Sequence, residues 1–524
     1  MSDREKGIID ATAADTPGAP RARMMLQRGR WAVTALAAYD RERIRTIVQA
    51  VADAAYQNAE RFARGAVEET GMGVAEHKLR KNQACSRGLL ERYGDDDYVS
   101  AQIDPERKLV RVPKPAGVVL ALTPSTNPVA SVYFKVLLCL MTRNAVVVSP
   151  HPMARRVCSE AAHVMSAAAV AAGAPDGCIQ VVEEPTIPLI EALMADPGTD
   201  LIVATGGTAV VRAAYRSGTP ALGVGPGNIP ALVDGSADVP RAAACLVDSK
   251  SFDNSILCTN ESTVIVEESV ASRFTAELAR CGAHVLEGED IDRVRAACYP
   301  DGHLATRLAG KDAAELARAA GVSVGARTRI LVAPFEMIVP EEPLAHEKLF
   351  PLLGLVRVPD ARRGIEAARA LIRIGGAGHS AVIHSRTRET VLAYGAALRV
   401  LRVTVNAPGS TGASGLDTHL APAMTIGTGF FGGSSLTENL QPRDLVQWTS
   451  VAYASDPQIP FDDFSGLDPW SVAPPAAAPE AAAHTRARPK GGQPRAAAGV
   501  ELPGPSLDDL RRLIRDELRE LVKG

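Results

Sequence analysis

Between residues 108 and 405 the chain repeatedly sets a short apolar run, rich in β-branched residues, ahead of a segment with helical spacing. This alternation narrows the possible folds more than any other feature. "KLVRVPKPAGVVLAL" (108–122) alternates and then turns continuously apolar, the pattern of an edge ribbon running into a buried strand. "NAVVVSP" (144–150) precedes the helical "MARRVCSEAAHVMSAAAVAAG". "CIQVVEE" (178–184) and "LIVATGG" (201–207) follow, the latter leading into "TAVVRAAYRSG". Strands and helices taken in turn predict a parallel sheet covered by helices on both faces. A second block begins near "ESTVIVEESV" and continues through "PLLGLVRVPD", "SAVIHS" and "LRVTVNAP". The expected fold class is therefore α/β, with two α/β domains meeting near residues 225–240.

The flanks differ from this middle. Residues 1–22 read as a flexible leader, and from Met24 to Gly71 apolar residues recur at the spacing of two or three helices. Residues 471–505 are rich in Pro, Ala and Gly without periodicity, which marks a linker. It runs into "SLDDLRRLIRDELRELVKG" (506–524), where Leu507, Leu510, Ile514, Leu518 and Leu521 share one helical face. Ser506 and Asp509 stand where an N-cap and a first-turn acid belong. A lone helix of this length is marginal in water, so it is expected to use a partner surface.

At 524 residues, 46 % apolar and 22 % charged, the chain has the composition of a soluble globular protein with two or three domains. Its net charge of −3 gives no basic field for nucleic acid. No apolar stretch reaches the roughly twenty residues that span a bilayer, and the opening lacks the apolar core of a signal peptide. The eight cysteines are scattered, with neither a CxxC pair nor zinc spacing. A reducing, cytoplasmic compartment with free thiols and no metal is expected.

One of those cysteines, Cys258, sits in the polar stretch "SFDNSILCTNE" (251–261) between apolar segments. Alone, the stretch leaves nucleophile, metal ligand and buried filler all open. Four further segments carry chemistry-bearing residues or glycines at strand ends. "LTPSTNP" (122–128) holds Asn127, whose amide can donate to a developing oxyanion or can simply build a turn. "VVVSPHP" and "VATGGTAVV" each end a strand and open a helix, the place where phosphates bind in such sheets. Neither is a GxGxxG fingerprint. "ALGVGPGNIP" (221–230) reads as a glycine-rich turn.

Together these segments resemble the CoA-acylating aldehyde dehydrogenases, which include enzymes of ethanolamine and propanediol microcompartments and the aldehyde half of bifunctional aldehyde–alcohol dehydrogenases. The resemblance spans about residues 25–455 through "ETGMG", "TPSTNP", "SPHP", "ATGG", "GVGPGN", "SFDN…CTNE", "EKLFP", "GGAGHS" and "VNAPGSTG". It implies a Rossmann-type cofactor-binding domain (23–235, with an edge ribbon at about 98–114) and an α/β catalytic domain (236–420). Residues 421–470 would return to the cofactor domain and supply an oligomerisation strand. It implies Cys258 as nucleophile, with Asn127 and the Cys258 backbone N–H as oxyanion donors. Thr123, Ser149, His151, Thr205, Gly206 and Gly207 would lie along NAD, beside Gly223 and Gly225 of the glycine turn. Glu347 would hold the nicotinamide ribose. His379 would orient or deprotonate the CoA thiol, or make a structural hydrogen bond. NAD and CoA would share one adenine pocket.

The same resemblance bears on which acceptor takes the acyl group. Hydrolytic aldehyde dehydrogenases activate water with the glutamate of a Glu-Leu-Gly-Gly-Lys motif, and the matching turn here has Gly223 at that place. Losing a general base typically costs about 10²–10⁴-fold, whereas a thiol is already partly thiolate near neutral pH. The expected reaction is oxidation of a C2–C3 aldehyde to an acyl-CoA; the alternative is hydrolysis to a free acid. "KLVRVPKPAG" and "LVQWTSVAYA" resemble the pairing elements of dehydrogenase dimers, so a homodimer or homotetramer is expected. The 506–524 segment resembles the shell-docking helices of microcompartment cargo, which would place the protein in a microcompartment lumen.

Overall fold

The computed structural model describes residues 17–467, 469 and 470. The linker 471–505, the amphipathic segment 506–524 and residues 1–16 of the expected leader lie outside the described residues. The rest of that leader is corrected by the structure, because a helix spans Ala19–Ala37. Pro20 stands in its first turn, where a missing N–H leaves no bond unmade. Its inner face, Ala22, Met25 and Leu26, packs with Val118, Leu120 and Leu122.

Strands β1 (Gln102–Asp104) and β2 (Leu109–Pro115) form an antiparallel ribbon. The ribbon leads into β3 (Val118–Thr123), followed by β4 (Ala145–Pro150), β5 (Ile179–Val181), β6 (Leu201–Ala204) and β7 (Ala221–Gly223). These five are all parallel, in the order β5-β4-β3-β6-β7. Every residue of β3 and β4 is buried, which is why both read as continuous apolar runs rather than alternating ones. The chain winds outward from β3 to β4 on one side and returns to β6 on the other. A crevice therefore opens beyond the carboxyl ends of β3 and β6, where the winding reverses.

A seven-stranded, all-parallel sheet follows: β8 (Ile229–Val233), β9 (Glu261–Glu267), β10 (Ala283–Val285), β11 (Ile330–Pro334), β12 (Leu352–Val358), β13 (Gly378–His384) and β14 (Val400–Val405). Its order is β10-β11-β12-β9-β8-β13-β14. The sheet starts one strand earlier than the apolar pattern indicates. β8 begins in the last two residues of the stretch that reads as a glycine-rich turn, and it is central although it contains Pro230. Proline lacks a ladder N–H, and a register shift between Ile229 and Pro230 accommodates it. Finally β15 (Val446–Ala452) pairs antiparallel with β2, from Val446↔Pro115 to Ala452↔Leu109. The two segments that resemble dimer-pairing elements thus pair with each other in one chain, and β14 and β15 each remain an edge strand.

Beneath the first sheet's crevice runs a helix, Pro128–Met141, buried at every position. A helix buried on every face belongs in a core; the one charge of this helix, Lys135, donates to the carbonyls of Leu122 and Val203, and Asn127 is its N-cap. No described helix is long and apolar enough to cross a membrane. Phe134 on that helix is fully buried within the largest cluster. Phe134→Ala is expected to lower unfolding stability by about 3–5 kcal/mol, read as a shift of the urea midpoint at unchanged slope.

Candidate active site

The two parallel sheets present opposite edges to one cleft. Thr123, Ser149, His151 and Thr205 lie at or just past the carboxyl ends of β3, β4 and β6, whereas Gly227, Cys258, Glu347 and His379 stand at or just before the amino ends of β8, β9, β12 and β13. Five residues, 224–228, carry the chain from β7 to β8 and hence from one edge to the other. This turn is tight against its surroundings. A Cβ on Gly227 would lie 2.0 Å from the Cys258 carbonyl oxygen and 3.2 Å from Glu347 Oε1. One on Gly376 would lie 2.6 Å from Asn228 N.

Cys258 is half-buried, and the approach to it is unusual. Asp253, Asn254 and Ser255 have φ of 48°, 51° and 62°, three consecutive non-glycine residues in the left-handed region. Their side chains hold them there. Asp253 Oδ1 accepts from Val74 N at 2.7 Å, Asn254 Nδ2 donates to the Gly310 carbonyl at 2.9 Å, and the Ser255 hydroxyl donates to the Lys250 carbonyl. Just beyond the cysteine, Glu261 accepts from Ser249 Oγ and Gly409 N, so β9 enters the sheet from a fixed point.

Burial, and then the charge of Glu347, push the Cys258 thiol up to about 12; Arg402 and Lys81 oppose that rise. The Glu347 carboxyl accepts from Gly227 N at 3.0 Å. Burial raises it to about 7 against the pull of that N–H and of Lys250 and Lys348. Both lysines are fully buried. Lys250 donates to Asn260 Oδ1, and Lys348 donates to the carbonyls of Leu344 and His346. Arg402, also buried, donates to the carbonyls of Gly378, His379 and Gly427 and to Asn439 Oδ1, which ties the 376–379 turn to the 425–439 loop.

On the opposite edge the residues fit a dinucleotide. Thr123 Oγ1 is buried at the end of β3, with the Cys158 thiol beside it. Thr205 Oγ1 lies 2.9 Å from Thr425 Oγ1. Gly207 is the N-cap of the Thr208–Arg216 helix, with no side-chain cap and open space where a Cβ would be. Open backbone N–H groups at a helix start beside a strand crevice suit a phosphate. Gly206 is half-buried beside it, Ser149 is buried, and His151 is at the surface with Nδ1 accepting from Met153 N at 3.2 Å.

Some expected residues sit elsewhere than their motifs suggest. Gly223 N donates to the Tyr215 hydroxyl at 2.8 Å, and a Cβ there would meet the Tyr215 ring and Val211 at 2.7 Å. Gly225 N donates to Thr428 Oγ1 at 3.2 Å. The glycine of this turn that touches Cys258 and Glu347 is therefore Gly227, which the sequence reading did not single out. His379 is fully buried, with Nδ1 2.8 Å from Ser380 Oγ, and burial together with Arg402 depresses its pKa to about 3. Such an imidazole is neutral and a weak proton acceptor. Lys250, Lys348 and Arg402 were also unforeseen. Their only signal in the sequence is a charged residue inside an otherwise apolar pattern. Among the described residues, no group of three or more His, Cys, Asp or Glu side chains is placed to hold a metal ion.

Residues 10–416 match the model of the aldehyde dehydrogenase family. The bifunctional aldehyde–alcohol dehydrogenase of Escherichia coli K12 is 35 % identical over 434 residues, covering 82 % of this chain and 49 % of that protein. The chain thus spans about half the length of the first curated relatives it matches. Among solved structures, an acetylating aldehyde dehydrogenase from Geobacillus thermoglucosidasius superposes with a TM-score of 0.82 at 34 % identity, covering 84 % of this chain and 97 % of that one. A Rhodopseudomonas palustris propionaldehyde dehydrogenase, solved with bound CoA and an acylated cysteine, gives 0.74 at 26 % identity, covering 82 % and 97 %.

The two glycines offer a direct check of the cleft. Gly227→Ala forces its methyl into the Cys258 carbonyl and is expected to cost about 1–3 kcal/mol, whereas Gly207→Ala meets nothing within 4 Å and is expected to stay within about 0.5 kcal/mol. Thermal unfolding of the two variants beside the parent chain reads the difference.

Proposed function

The chain belongs to the aldehyde dehydrogenase family, in its CoA-acylating branch, and from that premise we propose that it oxidises a small C2–C3 aldehyde with NAD and CoA to an acyl-CoA. The observation that carries the choice of acceptor is at Gly223. By the resemblance Gly223 stands in for the water-activating glutamate, and Tyr215 and Val211 lie 2.7 Å from where a Cβ there would be, which supports the absence of a base for water at that position.

In this reading Cys258 Sγ bonds to the aldehyde carbon while its proton leaves. Glu347, which the resemblance places at the nicotinamide ribose, is also the acid whose charge bears most on the thiol, and we assign it the second task of accepting that proton near neutrality. Asn127 Nδ2 and the Cys258 N–H receive the oxyanion. The nicotinamide, when bound, supplies the hydride acceptor. Thr123, Ser149, His151, Thr205, Gly206 and Gly207 hold the dinucleotide along the carboxyl edge, and Gly225 keeps the intervening turn on Thr428. The acyl group, now a thioester on Cys258, passes to the CoA sulfur, and the Cys258 sulfur leaves and regains a proton. One thioester replaces another, so the step is reversible. The depressed basicity of His379 supports a part in holding the Gly376–Ser380 turn rather than in taking the thiol proton.

We extend the proposal to assembly. The open edges of β14 and β15 support a homodimer or homotetramer. The amphipathic pattern of residues 506–524, after a Pro/Ala-rich stretch, supports docking to a microcompartment shell protein from a cytoplasmic location.

NADH formation from propionaldehyde is expected to require CoA, with propionyl-CoA seen by mass spectrometry; equal turnover without CoA, yielding propionate, would refute the acylating mechanism. Cys258→Ala is expected to abolish turnover. Because Glu347 ionises near 7, the rate at saturating substrates should rise as pH passes through about 7. Glu347→Gln should remove that rise. Deleting residues 471–524 should leave the rate unchanged and end co-sedimentation with shells.

A further inference from the structure

A pair of buried lysines with no role assigned above lies beside Asn127. Lys78 and Lys81 stand one turn apart on the Ala75–Ala84 helix and are 3 % and 1 % exposed. Buried ammonium groups require partners, and both find the same one. Lys78 Nζ lies 3.1 Å from Asp253 Oδ2, and Lys81 Nζ makes a shorter contact to that oxygen. Asp253 is itself fully buried, its N–H donates to His77 Nδ1 at 2.8 Å, and it opens the left-handed run that leads to Cys258.

Lys81 has a second contact, to Asn127 Oδ1, and Lys78 donates to the neighbouring Thr126 carbonyl at 3.2 Å. An ammonium carries only donors, so the amide atom facing Lys81 has to be the oxygen. The Asn127 N–H2 group is therefore turned away from the lysine. Its protein contact is Thr126 Oγ1 at 3.4 Å, which leaves hydrogen for a ligand. The same ammonium is near enough to Cys258 to favour its thiolate.

We propose that Lys81 is the positioning residue of the oxyanion site: anchored on Asp253, it holds Asn127 Oδ1 and so presents the amide N–H2 to the carbonyl bound at Cys258. The inference rests on the reading of Cys258 and Asn127 given above. One side chain thereby sets both the loop that delivers the sulfur and the donor that meets the oxygen. An arginine would overfill the site, since the cavity lined by Lys78, Lys81 and Asn127 holds only about 10 Å³. A glutamine is shorter, yet it retains an N–H2 donor.

The test uses the full-length chain with propionaldehyde, NAD and CoA, in a cycle of Lys81→Met, Asn127→Ala and the double variant, with Lys81→Gln as the conservative replacement. Each single loss is expected to lower kcat by about 10²–10³-fold, with KM for the aldehyde changed by less than about 3-fold. Because both act through one donor, the double variant should fall within about 3-fold of the weaker single variant, and Lys81→Gln should regain at least about tenfold over Lys81→Met. Losses that multiply in the double variant, or a Lys81→Met kcat within about 3-fold of the parent chain, would overturn the proposal while leaving Asn127 as the oxyanion donor. An Asn127→Ala variant with parental kcat would overturn the oxyanion reading itself. If Lys81→Met does not accumulate as folded protein, the cycle of Lys81→Gln with Asn127→Ala makes the same comparison of additive against shared losses.

Discussion

The cleft depends on a joint of five residues, 224–228, that leaves the carboxyl edge of one parallel sheet and enters the amino edge of another. A parallel sheet places all its strand starts on one side and all its strand ends on the other. A short connection from an end to a start therefore sets those two edges face to face. Thr123, Ser149 and Thr205 then come from strand ends and Gly227, Cys258 and His379 from strand starts, without any long loop between the two edges. The constraint on the joint is steric: Gly227 passes so close to the Cys258 carbonyl that no side chain fits.

Around this joint the protein buries several charges, each with a different kind of partner. Lys78 and Lys81 meet Asp253, Lys250 and Lys348 stand near Glu347, and Arg402 is spent on backbone carbonyls. Desolvation works against each charge, and its consequences differ with the partner. Asp253 has two cations in contact that outweigh its burial and hold it below its ordinary value, whereas Glu347 accepts one N–H and is pushed to about 7. The same low-dielectric setting keeps the Cys258 sulfur protonated at rest. A carboxyl tuned near neutrality beside a thiol that needs a base is a consistent arrangement for chemistry, and a carboxylate clamped by two lysines is a consistent one for structure.

The structure draws apart motifs that look alike in sequence. Gly223, Gly225 and Gly227 share one turn, yet the first is matched by Tyr215, the second by Thr428 and only the third by Cys258. Spacing along the chain does not separate them: Tyr215 lies only 8 residues before Gly223, whereas Thr428 and Cys258 belong to other segments. In the same way "EHKLRKN" has the composition of a solvated helix face, and its two lysines are among the most buried charges in the protein. Their partner Asp253 lies more than 170 residues further on. The early start of the second sheet was hidden by Pro230, whose presence in a central strand is made possible by a register shift.

The sequence by itself determined the α/β class, the buried strands β3 and β4, and the strand-end and strand-start segments from which the candidate site is drawn. These rest on local physics: hydrophobic period, continuous apolar runs, and glycine and proline at turns. Only the tertiary structure decided which glycine faces the cysteine, which way the Asn127 amide points, and whether His379 can serve as a base. Each of those is set by desolvation and by contacts between residues far apart in the chain, quantities that exist only once the two sheets have closed on each other.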